Sequence, residues 1–340
     1  MRKQVRTLVD SFTWASATDL QIDLPKDALI TQIDFRAVLT MSNALTAVQP
    51  DGLRRIVQNF KIESGGEAFM GMSGEQMGRL WSLMNTYDYG GANLISLQSG
   101  TAESITFRFH PGSNPRDPFD MSAVIPAQDL GELKATWTTT TNAVVDDTIT
   151  ISSGLMYATV YSVAGVPRGP GGKTIRLPNG SPLYVPRSST LTYAHSANFS
   201  DLSAENDIPT GSFLRRIVML VQEETATRPV RADDECTRVG IYLGRESRRL
   251  IDVDWEAQKA EAAARYGVSS VAFQVADTVT GHANIPDGFT IIDMRDYGHP
   301  QYGLDLWGYN KEDIKLLQTI ANYTSGDDTI IWYDMVRRWS

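Results

Sequence analysis

Cysteine is almost missing from this sequence: Cys236 is the only one in 340 residues. That excludes an internal disulfide and a zinc site built on cysteines, and makes a reducing cytoplasm the expected setting for folding. Histidine is nearly as scarce, with His110, His195, His282 and His299 alone. None stands in the closely spaced pair with a carboxylate that a metal-binding β-barrel enzyme uses. His110 and His299 each adjoin a proline and read as surface-loop residues. No run of about 18 apolar residues occurs, so no segment is a candidate transmembrane helix. The opening MRKQVRTLVDSF alternates polar and apolar residues and lacks the continuous apolar stretch of a signal peptide. Without that signal, NFS at 198–200 and NYT at 322–324 read as chance matches to the glycosylation acceptor pattern. No GxSxG nucleophile signature is present either.

A basic surplus is also lacking. Net charge is −9, and it is shared evenly, with 12 Lys/Arg against 17 Asp/Glu in residues 1–166 and 19 against 23 in residues 167–340. Neither half carries the broad positive surface that neutralises phosphates, so specific nucleic-acid binding is not expected. What is present is the balance of a globular protein, 42% apolar and 21% charged, long enough for one large core or two ordinary ones.

Most of the chain reads as strands. Leu29–Met41 is rich in β-branched and aromatic residues, and Asn59–Glu63 alternates around Phe60 and Ile62. Further runs are Ser104–Phe109, Leu133–Thr139, Thr148–Ile151 and Leu155–Val163, separated by turn residues such as SGGE (64–67), HPGSNP (110–115) and VDD (145–147). Many short strands joined by polar turns argue for a sandwich or barrel. One helix interrupts them: Ser73 and Gln76 form a capping box, and Met77, Leu80, Trp81 and Met84 share one apolar face.

The second half repeats the plan. FLRRIVMLV (213–221) has the pattern of LITQIDFRA (29–37), 184 residues earlier. VGIYLGRESRRLIDV (239–253) is strand, turn and strand, like FKIESGGEAFMGM (60–72). A helix follows again, with Asp254 as cap, Trp255, Ala262, Ala263 and Tyr266 on one face, and Gly267 to end it. EDIKLLQTIANYTSGDDTIIWY (312–333) parallels QDLGELKATWTTTTNAVVDDTITI (128–151); residues 312–321 fit a helical period equally well, and the parallel decides for a strand. The shared Asp-Asp-Thr-Ile recurs at an offset of 181. Two β-barrels are expected, residues 1–165 and 174–340, joined by a Gly/Pro-rich linker at 166–173.

Two motifs invite chemistry and fail on inspection. GPGGKT (169–174) ends like a phosphate-binding loop, but Pro167 stands where the first glycine is required and Pro170 removes an amide. SGDDT (325–329) has the look of polymerase metal-binding aspartates; its near-copy at Asp146–Asp147 marks both as hairpin turns. No catalytic, cofactor or metal residue is therefore assigned.

The stretch LPKDALITQIDFRAVLTMSNALTAVQPDGLRRIVQNFKIESGGEAFMGMSGEQMGRL (24–80) resembles the N-terminal region of double jelly-roll major capsid proteins of the tectivirus–adenovirus lineage. The shared features are a leucine-proline turn, a strand, a threonine-bearing loop, DGL-x-x-I (51–56), a second strand, a glycine turn and a capped helix. The resemblance implies two tandem eight-stranded jelly-roll β-barrels, each with a short flanking helix. It implies a homotrimeric, non-enzymatic virion protein, made in the host cytoplasm, whose pseudo-hexagonal capsomers tile an icosahedral shell. Penton and minor capsid proteins, and an internal lipid membrane, would then be its partners. The alternative is a viral spike or carbohydrate-binding β-sandwich protein, to which seven Trp and 13 Tyr would be suited; Trp81, Trp137, Trp255 and Trp332, however, sit at core-like periods. Two basic clusters in this acidic chain, Arg2, Lys3 and Arg6 at one end and Arg337, Arg338 and Trp339 at the other, are candidate membrane-facing residues.

Overall fold

The computed structural model describes residues 3–43, 52–71, 80–81, 84, 102–141, 150–174, 176–177, 180–225, 229–244, 248–266 and 287–340. They form two compact units. One holds the chain up to Ser188 together with Val336–Ser340, and the other holds the described residues from Ser189 to Met335.

Among the described residues, two sheets of the first unit are built from β1 (Lys3–Thr13), β2 (Asp19–Asp23), β3 (Leu29–Met41), β4 (Val57–Ser64), β5 (Glu67–Gly71), β6 (Ala102–Phe109), β7 (Lys134–Thr139) and β8 (Ile151–Ala164). They pair antiparallel in two sheets, β1-β8-β3-β6 and β2-β7-β4-β5. Successive strands thus cross between sheets except at the β4–β5 hairpin, the wiring of a jelly roll. Alternation sets which face is covered: in β7 the buried positions are Ala135, Trp137 and Thr139, and in β6 they are Glu103, Ile105, Phe107 and Phe109. Between the sheets lies an aromatic layer. Phe35 and Phe107 come from one sheet, Phe60 and Trp137 from the other, and Phe60 stacks on Trp81 at 4.6 Å.

The second unit adds β10 (Ser189–Ala194), β11 (Phe199–Asp207), β12 (Phe213–Glu223), β14 (Cys236–Leu243), β15 (Arg248–Asp254), β16 (Phe289–Asp293), β18 (Ile314–Ile320) and β19 (Asp328–Arg338), with helix α1 at Trp255–Tyr266. Short pieces β13 (Val230–Arg231) and β17 (Leu304–Asp305) pair along β12, whereas β9 (Tyr184–Pro186) belongs to the first unit, where it pairs with Val336–Arg338 at the end of β19. Setting these three aside, the pairing is first-eighth-third-sixth and second-seventh-fourth-fifth, the order of the first unit. Both units therefore have jelly-roll wiring.

Several expectations meet the structure directly. Within residues 312–321 the extended form is taken by Ile314–Ile320 as β18, and a single turn at Lys311–Asp313 leads into it. In SGDDT, Ser325–Asp327 lie in the turn between β18 and β19, where Gly326 adopts φ +106°, and Asp328 opens β19. Ile151 and the run from Leu155 belong to one strand, β8, which pairs with β3 from Ile151 to Val163 and with β1 from Leu155 to Ala164, while Thr148 and Ile149 lie outside the described residues. Helix α1 starts directly after Asp254 and its buried face is Trp255, Gln258, Lys259 and Ala262. In the first unit Leu80, Trp81 and Met84 are helical and buried, while Ser73, Gln76, Met77 and the Asp146–Asp147 turn lie outside the described residues, as does Gly267.

The glycine-rich stretch at 166–173 is followed by more chain that stays with the first unit. Val166 and Leu183 pack with Leu29, Val124 and Val163. Thr174 donates from its amide to Asp129 at 2.6 Å and from its hydroxyl at 3.0 Å. By contacts, the change of unit falls between Ser188 and Ser189.

Candidate functional site

The two basic clusters are brought to one end of the first unit. Lys3 opens β1 opposite Ala164, the last residue of β8. The neighbouring Val163 belongs to the apolar cluster on which Trp339 packs. Main-chain pairing holds the C-terminal segment there, Arg337 opposite Val185 and Arg338 opposite Tyr184, and the Trp339 amide donates to the Leu183 carbonyl at 2.9 Å.

The side chains divide by exposure. Lys3, Arg6 and Arg338 are exposed, and the Arg6 guanidinium lies 5.2 Å from the centroid of the Tyr161 ring. Arg337 is half-buried and bonds Glu67. Trp339 is half-buried as well; its indole N–H donates to Asp129 at 3.3 Å, and Lys173 lies 5.8 Å from its ring centroid. Sequence reasoning treated the three C-terminal residues alike, and only the tertiary contacts separate Arg338 from its neighbours. Arg2 lies outside the described residues.

Two exposed leucines that the sequence reading did not name lie apart along the β1–β8 pair, Leu8 opposite Thr159 and Leu155 opposite Thr13, the latter at the end of β1 away from Lys3. Leu8 on β1 and Leu155 on β8 are 60% and 45% exposed. β1 ends its sheet, and most of its residues are exposed on both faces. In the second unit Trp307 is 56% exposed, whereas Trp81, Trp137, Trp255 and Trp332 are all buried.

The residues once weighed for chemistry have structural surroundings. Among the described residues no group of three or more His, Cys, Asp or Glu is placed to hold a metal ion. His110 is buried, contrary to its surface-loop expectation, with Nε2 2.9 Å from the Asp117 carbonyl, because the 110–122 loop folds back on itself around Asp120. His299 stacks on Tyr302, and His282 lies outside the described residues.

His195 and Asp327 meet in a buried polar chain in the second unit. His195 Nδ1 lies 3.3 Å from Glu235 and Nε2 lies 2.9 Å from the Thr329 hydroxyl, which also accepts from Gln318 at 3.1 Å. Burial pushes Glu235 up to about 9, helped by its hydrogen bond to Asp327 and that carboxylate's charge. Burial also pushes His195 down to about 4, against the opposing pull of Asp327. The close pair is thus two neutral groups, not a salt bridge. A proton on His195 Nδ1 satisfies the chain: Thr329 donates to Nε2, His195 to Glu235, and Glu235 to Asp327. Asp327 in turn accepts from the amides of Glu224 and Thr324. Sequence spacing could not have found Glu235, since it joins residues far apart in the chain.

Two jelly rolls in one chain define a double jelly-roll protein. No family model matches the sequence, and no curated protein does. Among solved structures the fold is similar to the STIV MCP, at TM-score 0.74 and 18% identity over 98% of this chain and 96% of that one. It is similar to the major capsid protein P2 from bacteriophage PM2, at 0.56 and 14% over 100% and 98%. It is also similar to the PBCV-1 virus capsid, at 0.61 and 10% over 99% and 94%.

Proposed function

We propose that this chain is a structural subunit of a viral capsid, working by self-association and not by catalysis. The observation that carries the proposal is the jelly-roll wiring repeated twice within one chain, similar over nearly its whole length to the STIV MCP and to the capsid protein P2. Two rolls per subunit, taken three times, give six comparable blocks around a threefold axis, a near-hexagonal unit suited to tiling a shell. On this reading residues 1–165 and 174–340 are tandem domains, the subunit is a homotrimer made in the host cytoplasm, and penton and minor capsid proteins complete the shell. The exposed cations Lys3, Arg6 and Arg338 face an internal lipid membrane, each contributing on the order of 1 kcal/mol beside anionic head groups. Trp339 acts there as a packing residue. The burial of five of the seven tryptophans counts against a sugar-stacking spike, for which Trp307 is the exposed indole among the described residues.

Light scattering on the purified chain is expected to give three times 37.6 kDa, with near-hexagonal blocks in electron micrographs. A monodisperse monomer at high concentration would overturn the capsid reading. The membrane assignment is tested on the same particles: Lys3, Arg6 and Arg338 changed together to Glu are expected to abolish low-salt binding to anionic vesicles. Unchanged binding by that variant, or no binding by the parent, would remove it.

A further inference from the structure

The buried face of α1 carries a lysine, and this lysine meets a carboxylate in unusual company. The Lys259 side chain is 6% exposed and its Nζ contacts Asp233 Oδ2. The other oxygen of that carboxylate, Oδ1, accepts two hydrogen bonds: the Trp255 indole N–H donates at 3.0 Å and the Gly288 amide at 2.6 Å. Asp287 is hydrogen-bonded to Asp233, and burial with the charge of Asp233 raises its carboxyl to about 6. Burial raises Asp233 too, but the Lys259, Trp255 and Gly288 donors outweigh it, so the resting state is an ion pair.

An ion pair needs only two opposite charges in contact. Here there is also a pair of N–H groups converging on one carboxyl oxygen, as in an oxyanion hole. A neighbouring carboxyl titrates within reach of neutral pH and can carry protons. The amine is held against the carboxyl group on packed elements, which is worth orders of magnitude in effective concentration.

We propose that Lys259 and Asp233 become joined by an intramolecular isopeptide bond, formed by the folded chain itself with Asp287 as proton carrier. The ammonium first gives a proton to the Asp233–Asp287 pair. The free amine lone pair attacks Cγ of Asp233, and the carbonyl electron pair moves onto Oδ1, facing the Trp255 and Gly288 donors. Collapse re-forms the carbonyl and expels Oδ2, which leaves as water with two of the three ammonium protons, relayed by Asp287. The third proton stays on the amide nitrogen, and Asp287 ends as it began. One ammonium and one carboxylate become one amide and one water, so no oxidant or co-reactant is needed. The bond ties the segment before β14 to α1, giving the second unit a covalent staple in a protein whose one cysteine cannot make a disulfide.

The test is the intact mass of the soluble full-length chain, followed by peptide mapping. The parent protein is expected to weigh one water less than its sequence, with a branched peptide joining residues 233 and 259. Asp287→Asn, which keeps size and hydrogen bonding, is expected to fold and show the full mass, as is Lys259→Arg. Full mass in the folded parent, or a water loss mapped to other residues, would overturn the proposal. A cross-link persisting in Asp287→Asn would overturn the role given to Asp287.

Discussion

Glu235 keeps its proton at neutral pH because burial disfavours its charged form and, beside that, ionising it would set it against the Asp327 carboxylate. Its titration in the fold, about 9, lies above the ordinary 4.5, so the stability tied to it is complete below about 4.5 and is lost as pH rises through 9. His195 runs the other way: its value is about 4 against an ordinary 6.5, so its contribution is present above 6.5 and lost as pH falls through 4. Between 4.5 and 6.5 the two slopes oppose each other, and from 6.5 to 9 the Glu235 slope stands alone. Denaturant titrations are therefore expected to show stability of the second unit declining across that upper window. Glu235→Gln, neutral and of the same size, is expected to flatten the decline; an equal slope in the variant would show that the proton sits elsewhere.

At the level of elements, the first roll depends on how its sheets meet. Phe35 on β3 lies 4.5 Å from Trp137 on β7 and 4.7 Å from Phe60 on β4, each in edge-on geometry. These strands belong to opposite sheets, so the rings set the spacing between the layers. Trp137 also meets Phe107 on β6 at 6.3 Å. Removing its ring leaves a cavity bounded by both sheets, neither of which can close it without disturbing its own ladder. Trp137→Ala is expected to cost about 3–5 kcal/mol, read as a shift in the denaturant midpoint. A change below about 1 kcal/mol would mean that the layer relaxes around the gap.

At the level of the whole molecule, the chain finishes the first unit with its last residues. Val336–Arg338 pair with Tyr184–Pro186, and Trp339 covers the cluster of Leu29, Val124, Val163, Val166 and Leu183. Deleting residues 336–340 is therefore expected to loosen the first unit selectively. Hydrogen exchange should rise at the amide of Val124, which donates to the Tyr184 carbonyl beside the lost strand, and not at the amide of Trp14, which donates to Gly154 and serves as the internal control. Faster exchange at Val124 with Trp14 unchanged is the expected pattern. Unchanged exchange at Val124 would mean that the tail covers the cluster without stabilising it.

The sequence by itself determined the class of the fold. β-rich runs around Phe35, Phe60 and Phe107, and the recurrence of strand, turn, strand and helix at offsets near 180 residues, state that one β architecture occurs twice. Such signals are legible because they are local: burial of one face of a strand imposes alternation on adjacent residues. β1, β2, β10 and β11 did not stand out in the same way, since much of their surface is exposed and alternation then loses its apolar half. Only the tertiary structure decided which strands are neighbours, that the last strand pairs with residues 184–186 and that Trp339 is committed to packing while Arg338 is exposed. Only it could gather Asp233, Lys259 and Asp287, or His195, Glu235 and Asp327, from separate connections of the roll. Contacts between residues far apart in a chain leave no periodic trace in it, because they are set by how whole sheets pack and not by the preferences of adjacent residues.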